Sequence, residues 1–164
     1  MKRKTTGFTL IELLVTIVVA AILLSIGVPG FQAMLATNRM ATTTNEFATS
    51  MSIARSEAIK RRTNVSVTAT DGTDAGNEWG KGGWSVTVTG GGPTIKVVDP
   101  ILDSSTTLDS TGNRTSYTYE SSGIVSTGNA DTLNLCPGPG ERGRQITILA
   151  TGRVAIDTGF TCPL

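Results

Sequence analysis

The sequence has 164 residues, 38% of them hydrophobic and 16% charged, with 14 Lys+Arg against 13 Asp+Glu. These averages describe one ordinary globular domain and exclude a disordered polar chain, a collagen, a polytopic membrane protein and a dense disulfide scaffold. A net charge of +1 gives no global attraction to nucleic acid or anionic lipid, and the absence of His excludes His-based triads, metal sites and pH switches.

Residues Phe8 to Val28 read FTLIELLVTIVVAAILLSIGV, with a single charge, Glu12. A helix of that length spans about 30 Å, the thickness of a bilayer core. Lys2, Arg3 and Lys4 precede it and hold that end on the cytoplasmic side while the rest of the chain crosses. A secretory signal peptide is the competing reading, and Ser25-Ile26-Gly27 resembles a small-x-small cleavage site. Against it, the run exceeds an h-region of about 7–15 residues. Glu12 also costs about 2.5–3.5 kcal/mol at a helix centre, less near an end, and a discarded peptide has no use for it. A partner arises if the chain is cut after Gly7, because Phe8 then carries an α-amino group one helical turn from Glu12. That ammonium pairs with Glu12 of its own chain or of a neighbour, which neutralises both charges and sets the register between adjacent helices.

Gly7-Phe8-Thr9-Leu10-Ile11-Glu12-Leu13 resembles the class III signal of type IV prepilins and type II secretion pseudopilins. The resemblance implies cleavage between Gly7 and Phe8 by a prepilin peptidase, N-methylation of Phe8, and Glu12 as the subunit-register carboxylate. It also implies a single-pass inner-membrane precursor with a periplasmic head. That precursor passes into an extracellular pilus with other minor pilins and the major pilin.

Gly27, Pro29 and Gly30 interrupt the apolar run. Pro29 removes a helical hydrogen bond and clashes one turn back, which predicts a kink or local melting near 29. The alternative is a stop at the membrane surface, but helical periodicity resumes beyond it. Met40, Thr44, Phe47, Met51, Ala54 and Ala58 form an apolar stripe at heptad-like spacing, and its small residues predict a sheet packed close against it. Glu57 and Arg61 form a favourable i,i+4 pair, and the helix is expected to end at Arg61 or Arg62. Residues 54–61, ARSEAIKR, resemble a segment of the GspH/FimT branch of minor pilins, nearer its pilus members than its secretion member.

From Asn64 the period becomes two. Strands are predicted at Val65–Ala69, Trp84–Val88, Ile95–Val98, Tyr117–Tyr119, Thr132–Leu135, Gln145–Leu149 and Arg153–Ile156, separated by Gly-rich turns. The expected class is α+β, a long N-terminal helix packed against an antiparallel β-sheet head, as the resemblance also implies. The organisation is a leader (1–7), a helix (8–62, its membrane and assembly part 8–30) and a β-rich head (63–164). Gly80-Lys81-Gly82-Gly83 and Gly138-Pro139-Gly140 precede strand patterns, whereas phosphate-binding loops open helices, so they are turn glycines.

Cys136 and Cys162 are the only cysteines, and in an exported domain they predict one disulfide. Two free thiols or half a metal site are the alternatives. Asp71, Asp74 and Glu78 share a glycine-rich loop that offers oxygen ligands to Ca²⁺, but their spacing departs from the EF-hand, and a solvated acidic loop is the simpler reading. No base other than a carboxylate or Lys is present to activate a Ser or Thr, so no enzyme, cofactor or metal is expected.

The function expected is a minor pilin that primes or caps pilus assembly, with a minor pseudopilin of type II secretion as one alternative. The other is a DNA-binding minor pilin for uptake in natural transformation. FimT-like members carry a GRxR motif, and here Gly152-Arg153-Val154-Ala155 keeps Arg153 but has Ala155 in place of the second arginine. Arg142 and Arg144 add charge to the same edge if their strand pairs with that of Arg153. Loss of Lys2, Arg3 and Lys4 with the leader leaves 11 basic against 13 acidic side chains, a net −2 that disfavours DNA.

Overall fold

The computed structural model describes residues 8–73, 76–100, 106–126 and 131–163. Gly7, the basic leader and Asp74 lie outside them. The element order is α1 (Leu10–Arg61), β1 (Val65–Ala69), β2 (Trp84–Val88), β3 (Thr94–Val98), β4 (Thr107–Ser110), β5 (Ser116–Tyr119), β6 (Asp131–Cys136), β7 (Arg144–Ile148) and β8 (Val154–Asp157). The chain divides into two compact units between Asn38 and Arg39, inside α1 and not at the predicted boundary of 62/63. The stripe explains the difference: its buried side chains make the C-terminal part of α1 a core element of the head.

The first unit is apolar helix. Leu10, Ile11, Leu14, Ile17, Ile22 and Leu24 are all exposed, so no packed core holds this segment. Its polar side chains are satisfied within the helix, as an apolar surrounding requires: Thr16 Oγ1 donates to Leu13 O and Ser25 Oγ to Ile22 O, both at 2.7 Å. The helix is continuous through Gly27, Pro29 and Gly30, as the periodicity that resumes beyond them suggests. Among the described residues one helix, α1, is long and apolar enough to cross a membrane.

The second unit has a core between α1 and two four-stranded antiparallel sheets, the α+β arrangement expected. Their orders are β3-β2-β1-β5 and β4-β6-β7-β8. Thr44, Phe47, Met51, Ala54 and Ala58 are fully buried along the predicted stripe. The Phe47 ring meets Trp79, Trp84 and Tyr117 edge-on, with centroids at 5.3, 5.3 and 6.5 Å, and Trp79 stacks on Tyr117 at 5.1 Å. Both indoles find acceptors, Trp79 Nε1 at Arg114 O (2.7 Å) and Trp84 Nε1 at Ser50 Oγ (3.0 Å). Leu108, Leu133, Leu135, Ile146 and Ile148 close the core from the second sheet.

The helix stops where the sequence places its end. Arg62 takes φ 54°, the N–H of Thr63 reaches Ala58 O and that of Arg62 reaches Ile59 O, a Schellman closure built without glycine. The Glu57–Arg61 pair forms at 2.5 Å, and that hydrogen bond, with Lys60 beside it, holds the Glu57 carboxyl below its ordinary value despite the opposing effect of burial. Glycine is obligatory at Gly83, where φ is +68° and a Cβ would lie 2.1 Å from Val98 O, so the Gly80–Gly83 run is a packed turn leading into β2.

Cys136 and Cys162 form a disulfide with Cα atoms 5.8 Å apart. The link is worth about 2–4 kcal/mol for a loop of this length. It fastens the C-terminal segment, which also pairs through Cys162 N–H to Glu141 O (2.9 Å) and Gly143 N–H to Phe160 O (3.0 Å), to the end of β6.

The acidic loop departs from the solvated reading at Glu78. Asp71 accepts a hydrogen bond from Thr73 Oγ1 at 2.6 Å, but Glu78 is only 2% exposed and lies beside Asp109. Glu78 Oε1 and Asp109 Oδ1 are both buried without a hydrogen-bond partner among the described residues. Burial first, then the Glu78 carboxylate and Asp131, raise the Asp109 carboxyl from 3.8 to about 6. Asp131 responds oppositely: burial raises it, but hydrogen bonds from Ser110, the Thr132 N–H, Tyr117 and Thr111 outweigh burial and lower it. Folded Asp109 therefore holds a proton that the unfolded chain releases, so its stabilisation is complete below the ordinary carboxylate value and is lost as pH rises through about 6. Asp131 stabilises above the ordinary value and loses that contribution as pH falls through its lowered one. Head stability should therefore peak near the ordinary carboxylate value, at about pH 4, and fall as pH rises from there to about 6. Asp109→Asn should gain about 1–2 kcal/mol at pH 7.5 and almost nothing at about pH 3, below the ordinary carboxylate value. Urea unfolding of the full chain in detergent at the two pH values measures it, and equal effects at both would overturn the raised Asp109 value.

Candidate assembly site

The predicted assembly residues sit at the start of α1. Phe8 is 76% exposed, and Thr9 and Glu12 close a capping box. Thr9 N–H and Oγ1 lie 3.5 and 3.4 Å from Glu12 Oε2, and Glu12 N–H donates to Thr9 Oγ1 at 3.3 Å. Thr9-x-x-Glu12 ahead of an apolar run is the sequence signature of this cap, a second role for Glu12 that the charge argument passes over. The carboxylate thus starts the helix in the uncut chain and stays exposed on an apolar surface. Gly7 lies outside the described residues, and Pro29 is helical.

The three candidate arginines do not form one patch. β7 and β8 do pair, but as a hairpin in which Ile148 meets Val154 and Gln145 meets Asp157. Arg144 lies at the far end of β7 from the turn, and exposed Arg142 lies further along beside Thr161. Leu149 N–H donates to Arg153 O at 2.9 Å, so Arg153 is at the turn, about 17 Å along the strand from Arg144. The expected common edge is therefore corrected by the antiparallel register, which separates residues at opposite ends of one strand.

Arg153 instead shares a cavity with Arg55, which the sequence offered only within residues 54–61. The cavity, about 420 Å³, is lined by Ser52, Arg55, Ser56, Ile59, Arg153 and Val154 among others. Gly152, at φ +80°, lets the turn approach: a Cβ there would lie 2.3 Å from Gly123 O and 3.4 Å from Arg55 Nε. Tyr119, its hydroxyl pushed up to about 12 by burial, donates to Gly152 O at 3.0 Å and holds that turn.

An apolar helix opening on a capped carboxylate and a disulfide-closed antiparallel β head behind a long helix together define a pilin-type fold. A family model described as type II transport protein GspH matches residues 43–152, and the prokaryotic N-terminal methylation motif matches residues 2–28. The chain belongs to the GspH family and carries the N-terminal methylation motif. Its fold is similar to that of the type IV minor pilin FimU of Pseudomonas aeruginosa PAO1, with a TM-score of 0.66 and 22% identity over 78% of this chain and 96% of that one. A second crystal form of FimU gives a TM-score of 0.62 and 23% identity over 74% and 95%. Comparison with curated proteins gave no match.

Proposed function

We propose that this chain is a minor type IV pilin, a structural subunit rather than an enzyme. Prepilin peptidase cuts it between Gly7 and Phe8, the new Phe8 terminus is N-methylated, and the apolar part of α1 holds it as a single-pass protein of the inner membrane with its head in the periplasm. It then joins other minor pilins and the major pilin, priming or capping the filament. The observation that carries this reading is Glu12, the lone charge of the apolar run Phe8 to Val28, one turn from the terminus that cleavage creates. Pro29 and its flanking glycines are the place where the helix bends once neighbours pack around it.

N-terminal sequencing of the protein from cells that hold the peptidase should find N-methyl-Phe8, and Gly7→Ala should leave the longer, unprocessed chain. A mature terminus at Val28 would restore the signal-peptide reading. The family's description also keeps a type II secretion pseudopilin in play, and recovery of the chain in sheared pili rather than with secretion pseudopilins decides for the pilus. DNA uptake is disfavoured because Arg142 and Arg144 do not join Arg153 and the processed chain is acidic.

A further inference from the structure

We infer that the cavity between α1 and the β7–β8 turn receives an acidic side chain of a neighbouring pilin subunit, held by Arg55 and Arg153; the identity of that neighbour rests on the pilin reading above. Three observations point to a carboxylate. Arg55 Nε is buried without a hydrogen-bond partner, and neither arginine is ion-paired among the described residues. A partly buried guanidinium lacking a counter-charge is unfavourable, and its planar fork matches a carboxylate in two-point geometry. The turn that brings Arg153 here is fixed, through Gly152 at φ +80°, the Gly152 N–H on Leu149 O at 2.8 Å, and the Tyr119 hydroxyl. The site is therefore formed before a ligand arrives.

Shape and composition select a peptide over a nucleic acid. A volume of about 420 Å³ accommodates one side chain with its backbone, not a duplex. Ile59 and Val154 provide apolar wall for methylenes, and Ser52 supplies a hydroxyl beside the charge. A second concavity, about 490 Å³, shares Ser52 and Ser56 and continues along α1 past Asn45 and Thr49, a path for the segment that bears the acid. Only two cations converge, on a processed chain of net −2, which suits a single carboxylate and repels a polyanion.

The test uses the full chain in detergent micelles with arginine Nε–H resonances as the readout. N-acetyl-Gly-Glu-Gly-amide should shift Arg55 and Arg153 saturably and bind at least about tenfold more tightly than its Gln analogue. Arg55→Met and Arg153→Met should each abolish the difference without lowering the urea midpoint below that of the parent. No saturable shift, or equal binding of the two peptides, would overturn the proposal. A short DNA duplex binding more tightly than the Glu peptide, and lost in Arg153→Met, would overturn it in favour of nucleic acid. N-terminal processing distinguishes the two levels: correct cleavage without peptide binding removes only this site, and peptide binding without cleavage at Phe8 removes only the pilin reading.

Discussion

Glu12→Ala should still insert in the membrane and be cut at Phe8, yet be reduced about 100-fold in sheared pili relative to the parent chain. The substitution makes the helix more apolar, because a carboxylate costs about 2.5–3.5 kcal/mol at a helix centre and less near an end. Insertion therefore cannot be what fails. The capping box with Thr9 is lost as well, but a cap is worth about 1 kcal/mol and the long apolar helix does not depend on it. What remains is the proposed ammonium–carboxylate pair between processed subunits, and breaking a desolvated pair costs about 3–5 kcal/mol. Glu12→Gln separates the two roles, since an amide can still accept from Thr9 but carries no charge. Comparing pilus and membrane fractions for both variants measures the effect. Normal incorporation of Glu12→Gln would show that Glu12 acts as a cap and not as an ion pair.

Phe47→Ala should destabilise the head by about 3–5 kcal/mol. The ring is fully buried and is the point where Trp79, Trp84 and Tyr117 converge from the β1–β2 connection, β2 and β5. Large rigid neighbours collapse poorly into the space left by a phenyl group, so both the transfer and the cavity contributions are lost, together with three edge-on aromatic contacts. Against a typical domain stability of about 5–15 kcal/mol the variant is marginal. Trp79 and Trp84 are the only tryptophans and both flank the ring, so their fluorescence during urea unfolding of the full chain in detergent reports this loss directly. Phe47→Leu should cost less than half as much. A loss below about 1 kcal/mol for the alanine variant would mean that the aromatic cluster repacks and that Phe47 does not anchor it.

The strands legible in the sequence were those with a clean alternation. Val65–Ala69 and Trp84–Val88 fall on β1 and β2 residue for residue, because apolar and hydroxyl side chains alternate along both, although β1 buries Ser66 as well. β4 escaped detection for the opposite reason. Thr107-Leu108-Asp109-Ser110 has one strong apolar residue, and its strand character comes from pairing with β6. The N-terminal methylation motif was legible because it is local, whereas the Thr9–Glu12 cap within the same turn was missed.

What the sequence determined by itself is therefore whatever depends on near neighbours along the chain. That covers the apolar helix with its lone carboxylate, the buried stripe from Thr44 to Ala58, the helix stop at Arg61 and the alternating strands. Only the tertiary structure decided what depends on distant pairing. It divided the strands into two sheets and buried Glu78 beside Asp109 where a solvated loop was expected. It also separated Arg142 and Arg144 from Arg153 and set Arg55 in the same cavity as Arg153. Side-chain periodicity shows which face of an element is buried, but strand register and helix–turn proximity are set by packing between segments far apart in sequence.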